Sequence, residues 1–367
     1  MTKPVANVTR RKMLAAGGAG AALIASPAVA QSQPKIKWRC TSSFPKSLDT
    51  FHGNAQVFVK AVKEMTGGNF EIEWFAPGEI VPAFAVVDAV QASTVEMGQT
   101  GSFYYIGKNP AFQFGTGLPF GMNQRGHNAW LTQGGGNEMM NDFYKGFKIY
   151  GLNGGNTNMH MAGWFRKEIK SVDDLKGLKM RISGMAGTVF AKAGGVPQQL
   201  PGGEVYAALE RGTIDGTKWI TPVDDEKLGF YKVAPYYYYP GWNDGSASIH
   251  YFINLDKWES LPKEYQAVMR SAAALAGEWV MTKFDADNPK ALRRLVSQGT
   301  KLRGLPQDVV DALHKAAQEV YAETSEKNPT FKAMYESYTN FAKEFYLWFG
   351  IGEATFDAMM IRYLRSA

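Results

Sequence analysis

The sequence predicts an α/β protein built from two α/β units and a largely helical C-terminal region. Three observations favour this class. Residues 36–99 alternate strand patterns with helical patterns, residues 171–220 repeat that alternation, and the chain after residue 262 has mainly the apolar spacing of helices. Strands that alternate with helices form mainly parallel sheets with helices on both faces. The length of 367 residues suits about two domains.

The first unit begins with a strand at residues 36–41, where apolar and polar side chains alternate. Residues 49–65 have apolar side chains at helical spacing, and the glycines at 67–68 are typical of a helix end. The elements predicted next are a strand at 70–74, a helix at 82–92 and a strand that begins at 95–99.

The second unit repeats the alternation. Ser171 and the acidic residues at 173–174 predict a helix start, because a serine side chain accepts a backbone N–H and acidic groups favour the positive helix end. The polar, glycine-rich stretch 151–158 is interpreted as a crossover between the units. The remaining predicted elements are a strand at 178–182, helices at 187–193 and 203–211, and a strand at 214–220.

The charge balance excludes a nucleic-acid-binding protein. The chain has 40 Lys and Arg against 34 Asp and Glu, but four of the basic residues and none of the acidic ones lie in residues 1–30. The rest therefore carries a net charge of only +2, without the clustered base that nucleic acid requires. A hydrophobic content of 45% argues against disorder, and the lone Cys40 excludes a disulfide scaffold.

Residues 1–30 have the organisation of an export signal. Arg10 and Arg11 precede an apolar stretch at 13–25, which is shorter than the ~20 residues of a spanning helix. Residues 28–30 have the small-x-small pattern that a signal peptidase accepts. The adjacent arginines resemble the twin-arginine signal of bacteria, and an ordinary secretory signal is the alternative. We therefore predict a periplasmic protein.

Common catalytic motifs are missing from the sequence. It contains no Gly-x-Ser-x-Gly turn, no Gly-Lys-Ser/Thr phosphate loop and no His-Glu-x-x-His pair. The acidic run 224–226 is interpreted as a solvated helix start rather than an acid–base pair. Histidines that are far apart and form no metal-spaced pair are His52, His127, His160, His250 and His314. We expect a protein that is not an enzyme.

Charged and aromatic side chains follow two predicted strands of the second unit, at the carboxyl ends where open α/β sheets bind ligands. Arg181 stands on a polar strand face, and a guanidinium can hold a carboxylate with two parallel hydrogen bonds. Lys218 precedes Trp219, which offers an apolar wall and an N–H donor. A surface arginine, a surface lysine and a core tryptophan are the alternatives. The aromatic run 236–242 is more typical of a core.

Five ordered segments resemble the extracytoplasmic solute-binding proteins of tripartite ATP-independent periplasmic (TRAP) transporters, and the last two resemble the 2-oxoacid-binding branch. They are residues 164–169, 174–181, 202–216, 225–232 and 237–242. The resemblance extends from about residue 36 to residue 273. It implies a two-lobed periplasmic binding protein fold, in which two hinged α/β lobes close on an organic acid.

The resemblance also implies roles for particular residues. Arg181 matches the arginine that holds the carboxylate, Trp219 matches a wall of the ligand site, and Tyr104 and Tyr105 match the contribution of the first lobe. We expect Asn158 and Trp242 to complete the binding residues. No catalytic residue is expected.

Two matching positions differ from the family. A glutamine and a glutamate that bind sodium or calcium in the family are replaced here by His160 and Lys218. An ammonium beside a metal ion is unfavourable. We therefore expect the metal site to be lost and no cofactor to be bound, with Lys218 supplying the positive charge and His160 donating a hydrogen bond to the ligand.

The expected organisation is a signal at 1–30, lobe 1 at 31–155 with a return segment at about 246–285, and lobe 2 at 156–245 with part of the C-terminal helices. The remaining helices, 286–367, are a possible dimerisation region, since members of this branch often pair through a long C-terminal helix.

The function expected from the resemblance is capture of a small 2-oxo or 2-hydroxy monocarboxylate for delivery to a membrane permease. Three alternatives stay open. They are an exported enzyme that acts on the same acids with His160 as base, a periplasmic sensor module, and a binding protein of another transporter class.

Overall fold

Two β-sheets organise residues 34–366, the part of the chain that the computed structural model describes. The predicted signal at 1–30 lies outside these residues. The strands are β1 (Ile36–Ser42), β2 (Phe70–Phe75), β3 (Met97–Thr100), β4 (Ile149–Asn156), β5 (Gly163–Phe165), β6 (Lys179–Arg181), β7 (Val196–Gln198), β8 (Gly216–Thr217), β9 (Tyr236–Tyr239), β10 (Ser248–Asn254) and β11 (Lys301–Gly304).

The first sheet has the strand order β2-β1-β3-β10-β4, and the second has the order β11-β9-β5-β8-β6-β7. β1 is parallel to β2 and β3, but β10 is antiparallel to β3 and β4. In the second sheet β6 is parallel to β7 and β8, whereas β5 is antiparallel to β8 and β9. Both sheets are therefore mixed rather than mainly parallel. The chain passes between them three times. Two passages, at residues 157–162 and 240–247, are short and irregular, and we call them the crossing segments; the third, between β10 and β11, is mainly helical.

Helices surround the two sheets. They are α1 (Asp49–Met65), α2 (Val86–Gln91), α3 (Gln113–Thr116), α4 (Gln124–Gln133), α5 (Gly136–Lys145), α6 (Met185–Lys192), α7 (Gly202–Glu210), α8 (Pro222–Leu228), α9 (Leu255–Ser260), α10 (Lys263–Ser297), α11 (Gln307–Lys327), α12 (Pro329–Ile351) and α13 (Glu353–Ser366). The 35-residue α10 packs against α1 and β4 of the first sheet and against α8 of the second. Within residues 34–366, no helix combines the length and the apolar character that a membrane crossing requires.

The predicted crossover at 151–158 is instead mostly strand. Residues 149–156 form β4, which pairs with β10 in the first sheet. The glycines in this stretch serve close packing. A Cβ atom on Gly155, whose φ is +121°, would lie 2.6 Å from the Cα of Gly277, so the glycine permits α10 to lie directly on the strand.

Two predicted elements are shorter than the sequence suggested. The helix predicted at 82–92 is formed only from Val86 to Gln91, because the turn after Pro82 occupies the residues before it. The strand predicted at 214–220 keeps only Gly216 and Thr217. The chain leaves the second sheet at Lys218, so Lys218 and Trp219 lie beyond the end of the strand.

Buried aromatic residues join the second sheet to α10. The rings of Trp164 and Tyr237 stack with centroids 3.9 Å apart, and Phe284 of α10 belongs to the same apolar cluster. A separate cluster that contains Trp38, Phe58 and Tyr251 fills the first sheet beneath α1. A third cluster spans both sheets, since it contains Phe252 of the first and Met180 of the second.

Candidate functional site

A pocket lies between the two sheets and the crossing segments. The first sheet and its loops contribute mainly aromatic side chains, whereas the second sheet and the crossing segments contribute charged ones. The residues that line the pocket include Phe44, Phe51, Tyr104, His160, Arg181, Ser183, Lys218, Trp219 and Asp244. Apolar walls with a few convergent polar groups are typical of small-ligand sites.

Arg181 is the last residue of β6 and is only 2% exposed. Its Nε donates to the carbonyl of Leu200 at 3.0 Å, and its Nη1 donates to the carbonyl of Lys218 at 2.8 Å. Its Nη2 is buried and has no hydrogen-bond partner among residues 34–366. Burial lowers the pKa of the guanidinium, yet an arginine remains charged. The arginine is thus fixed by backbone carbonyls and keeps N–H groups for a ligand.

Trp219 packs on this guanidinium. The Cζ of Arg181 lies 4.6 Å from the centroid of the indole ring, within the range of a cation–π contact. The ring is 4% exposed, and its Nε1 has no acceptor in the described part of the chain. The tryptophan therefore forms a wall of the pocket and offers a second unused donor.

Lys218 is paired with Asp244 of the second crossing segment. Its Nζ donates to Oδ2 of Asp244, and the two residues are 5% and 4% exposed. Burial lowers the pKa of Lys218 and raises the pKa of Asp244, and the attraction between the two charges opposes both shifts. Lys218 therefore reaches the pocket, but its charge already has a counter-ion.

His160 completes the charged side of the pocket. Its Nε2 lies 2.6 Å from Oγ1 of Thr157, and its Nδ1 lies 3.9 Å from Oδ2 of Asp244 without a hydrogen bond. Burial, and then the charge of Lys218, hold the pKa of His160 well below its usual value. The imidazole is therefore neutral at pH 7, and its Nδ1 is open to a ligand.

The structure brings five of the eight expected site residues to this pocket and leaves three outside its lining. Tyr105 is part of the first unit's core, where its hydroxyl accepts from the amide of Val87 at 3.3 Å. Trp242 packs against Phe120 with ring centroids 5.9 Å apart. Both side chains are buried in an apolar cluster. The aromatic character of a residue alone therefore does not distinguish a wall of the pocket from the core.

Asn158 is also directed elsewhere. Its Nδ2 donates to Oδ1 of Asp285 at 2.7 Å and to the carbonyl of Met281 at 3.0 Å, both on α10. The side chain joins the first crossing segment to the long helix. It does not line the pocket.

Sequence reasoning missed Asp244 and the apolar residues Phe44 and Phe51. Asp244 lies in an irregular segment, where no periodicity indicates which way a side chain points. Ser183 shares the polar strand face of Arg181, so alternation could have indicated it; its Oγ is buried in the pocket wall without a partner among the described residues.

The acidic run 224–226 starts α8, as expected, but Asp224 and Asp225 are buried rather than solvated. Asp225 accepts hydrogen bonds from Trp164 Nε1 at 2.9 Å and Tyr237 Oη at 2.8 Å, and burial raises its pKa to about 6. Burial raises the pKa of Asp224 to about 8. Neither residue lines the pocket; Asp225 bonds within the second unit, and Asp224 accepts a hydrogen bond from Thr50 of the first.

Comparison with known proteins identifies the family. The sequence profile of the bacterial extracellular solute-binding proteins, family 7, matches residues 41–328. A monocarboxylate 2-oxoacid-binding periplasmic protein of Nostoc is 46% identical over 324 residues, which cover 88% of this chain and 89% of the relative.

Solved structures agree with this result. A TRAP transporter solute-binding protein of Bordetella bronchiseptica, with copurified calcium and picolinate, has a TM-score of 0.90 and 47% identity and covers 91% of this chain and 99% of its own. A TRAP periplasmic solute-binding protein of Pseudoalteromonas atlantica, with bound sodium and pyruvate, has a TM-score of 0.85 and 34% identity. That match covers 88% of this chain and 98% of the other.

The expectation that the family's metal site is lost and no cofactor is bound is contradicted by these comparisons. The Bordetella protein carries calcium, the Pseudoalteromonas protein carries sodium, and a Colwellia psychrerythraea protein carries calcium with pyruvate. Among the described residues of this chain, no group of three or more His, Cys, Asp or Glu could hold a metal ion. Asp244, a carboxylate of the pocket, is engaged by Lys218. In this arrangement Asp244 is not free to hold a metal ion, although the relatives carry one together with their ligand.

The predicted two-lobed α/β fold is confirmed by these neighbours, and so is the resemblance to the 2-oxoacid-binding TRAP proteins. The names of the family and of the Nostoc relative place such proteins outside the cytoplasm, in the periplasm. They describe receptors for solutes rather than enzymes. The chain belongs to family 7 of the bacterial extracellular solute-binding proteins.

Proposed function

We propose that this protein captures a small 2-oxo or 2-hydroxy monocarboxylate in the pocket around Arg181 and delivers it to the membrane subunits of a TRAP transporter. The observation that carries the proposal is the buried guanidinium of Arg181, which lines the pocket and whose Nη2 has no hydrogen-bond partner in the described part of the chain. An unused cationic donor inside a protein is costly, and a carboxylate would satisfy both its charge and its N–H groups. The relatives described as binding 2-oxoacids and pyruvate support the choice of ligand.

The expected ligand contacts follow from the geometry. Arg181 would hold the carboxylate, Trp219 and Tyr104 would cover it, and Nδ1 of His160 would bond the 2-oxygen. Lys218 would act on the ligand only as a member of its ion pair with Asp244. The ligand would be held without cleavage of a bond, since the Thr157 hydroxyl beside His160 already donates to the backbone carbonyl of Ala247 at 3.0 Å.

Contacts between the two sheets would close the site. Oγ1 of Thr50 on α1 donates to Oδ1 of Asp224 on α8 at 2.7 Å, and the amide of Met185 donates to Oε1 of Gln113 at 2.8 Å. A ligand that touches both sheets would favour this closed arrangement over an open one. Closure also lowers the local dielectric, which strengthens the pair between carboxylate and arginine.

Calorimetric titration of the mature protein tests the proposal. Pyruvate and lactate are added in the presence of calcium, in the presence of sodium and with a chelator, since the solved relatives carry these ions. We expect saturable binding of at least one acid. Its absence under all three conditions would overturn the proposal. Recovery of the acid unchanged after long incubation excludes the enzymatic alternative, and native mass spectrometry identifies a copurified solute.

We also propose a homodimer formed by the C-terminal helices. Apolar side chains at the end of α12 and on α13 are largely exposed. Leu347, Trp348, Ile351 and Leu364 are 67%, 67%, 68% and 72% exposed. Exposed apolar side chains in this number favour a protein partner, and a second copy would cover the same residues on both chains.

The organisation of the chain is proposed as well. Lobe 1 comprises residues 31–155 with a return segment at about 246–285, and lobe 2 comprises 156–245 with part of the C-terminal helices. The crossing segments at 157–162 and 240–247 support these limits. Export through the twin-arginine pathway is proposed from Arg10 and Arg11.

A further inference from the structure

We propose that Asp244 restricts the pocket to ligands with a single negative charge, by acting as the permanent counter-ion of Lys218. The inference rests on the proposed function and adds a residue that determines specificity. Its basis is a difference between the two cations that line the pocket. Lys218 contacts a carboxylate, whereas Arg181 contacts only backbone carbonyls.

The first step is that the positive charge of Lys218 is already compensated. Its Nζ is in direct contact with Oδ2 of Asp244, and both residues are at least nine-tenths buried. Separation of a buried ion pair leaves two uncompensated charges, which is costly, so we expect the pair to stay together while a ligand enters. A carboxylate placed beside Lys218 would therefore also lie beside the carboxylate of Asp244.

The second step is that Arg181, unlike Lys218, has no carboxylate in hydrogen-bond contact within the described residues, although Asp244 and Asp225 attract its charge from a greater distance. Its Nε and Nη1 bond backbone carbonyls, which are neutral acceptors, and Nη2 is unused. Of the other titratable lining groups, His160 and Tyr104 are neutral at pH 7, since burial lowers the pKa of the first and raises that of the second. Asp225 lies outside the lining, where it accepts hydrogen bonds from Trp164 and Tyr237, and its negative charge attracts both Arg181 and Lys218 without contacting either.

One cation without a carboxylate in contact matches one ligand carboxylate. A second carboxylate on the same ligand would be buried without a partner of its own and close to Asp244, which is costly in a water-excluded site. Replacement of Asp244 by asparagine keeps the shape and an acceptor oxygen for Lys218 but removes the negative charge. The ammonium would then be free to bind a second ligand carboxylate.

The probes are lactate and tartronate, which share the 2-hydroxy acid and differ only in that a methyl group is replaced by a carboxylate. Affinities of both are measured by calorimetry for the unsubstituted protein, for Asp244→Asn and for the double variant Lys218→Met with Asp244→Asn. Asp142→Asn is the matched control, because it removes an acid from an exposed lysine pair with Lys145. Thermal unfolding checks that each variant is folded.

We expect Asp244→Asn to raise the affinity for tartronate relative to lactate by about ten- to a hundredfold, the range of one charged hydrogen bond. The double variant and Asp142→Asn should show no such gain. An unchanged preference in folded Asp244→Asn, or an equal gain in the double variant, would overturn the inference.

The proposed function is judged separately, on lactate and pyruvate binding by the unsubstituted protein. If that binding is absent and Asp244→Asn still gains tartronate, the proposed function fails and the role of Asp244 stands. If the unsubstituted protein binds and Asp244→Asn gains nothing, the reverse holds. If neither binding nor gain is seen, both are overturned.

Discussion

Nη1 of Arg181 donates to the backbone carbonyl of Lys218 at 2.8 Å, and the backbone amide of Lys218 donates to the carbonyl of Arg181 at 2.9 Å. These two bonds fix the guanidinium against the neighbouring strand end before any ligand arrives. A donor that is already oriented loses little conformational freedom on binding. The arginine is therefore prepared for a carboxylate by the backbone of its own sheet.

Replacement of Arg181 by alanine should abolish detectable carboxylate binding. The ligand charge would be buried without a partner, which costs about 3–5 kcal/mol. Calorimetry with pyruvate or lactate measures the loss, and Arg211→Ala is the control because that arginine is exposed on the far end of α7. Retained affinity in folded Arg181→Ala would remove this residue from the site.

Asp224→Asn should change how stability depends on pH. Burial raises the folded-state pKa of Asp224 from 3.8 to about 8. The contribution of this carboxyl to the free energy of unfolding is therefore fully present below pH 3.8 and is lost as pH rises towards 8. The free energy of unfolding of the unsubstituted protein should fall relative to Asp224→Asn by up to about 1.4 kcal/mol per pH unit across this window. Urea unfolding at a series of pH values measures the difference.

A second variant tests the same assignment from the other side. The hydrogen bond from Thr50 lowers the pKa of Asp224, so Thr50→Val should extend the loss of stability to higher pH. A difference between Asp224→Asn and the unsubstituted protein that is independent of pH would show that Asp224 does not titrate in this range.

Paired substitution of Ile361 and Leu364 by glutamate should convert the proposed dimer to monomer. Both side chains lie on the exposed part of α13, so the change should leave the ligand pocket intact. Analytical ultracentrifugation over a range of protein concentrations measures the association. A monomeric unsubstituted protein, or an unaltered dimer in the variant, would contradict the proposed interface.

Conversion of Arg10 and Arg11 to lysine should block export if the twin-arginine route is used, since that route recognises the arginine pair. Cell fractionation and immunodetection show where the full-length protein accumulates. Unimpaired appearance of the mature protein in the periplasm would favour the ordinary secretory route.

The strand carrying Arg181 illustrates what could be predicted. Alternation around residues 178–182 put Arg181 and Ser183 on the polar face, and both lie in the pocket wall. By contrast, the strand predicted at 214–220 was too long. An alternating pattern does not indicate the residue at which a chain leaves a sheet to reach a pocket. The prediction that the run at 224–226 is solvated was wrong for a different reason. The hydrogen-bond partners of Asp225, Trp164 and Tyr237, belong to other elements of the chain, so a local pattern does not reveal them.

The sequence by itself determined the α/β class, the family and the arginine most suited to hold an anion, because these depend on local periodicity, on ordered motifs and on side-chain chemistry. Only the tertiary structure decided that Lys218 has a counter-ion, that Tyr105, Trp242 and Asn158 face away from the pocket, and that two aspartates are buried. Charge pairing and burial depend on residues far apart in the chain, and the crossing segments that bring Asp244 to Lys218 have no periodic pattern from which this contact could be read.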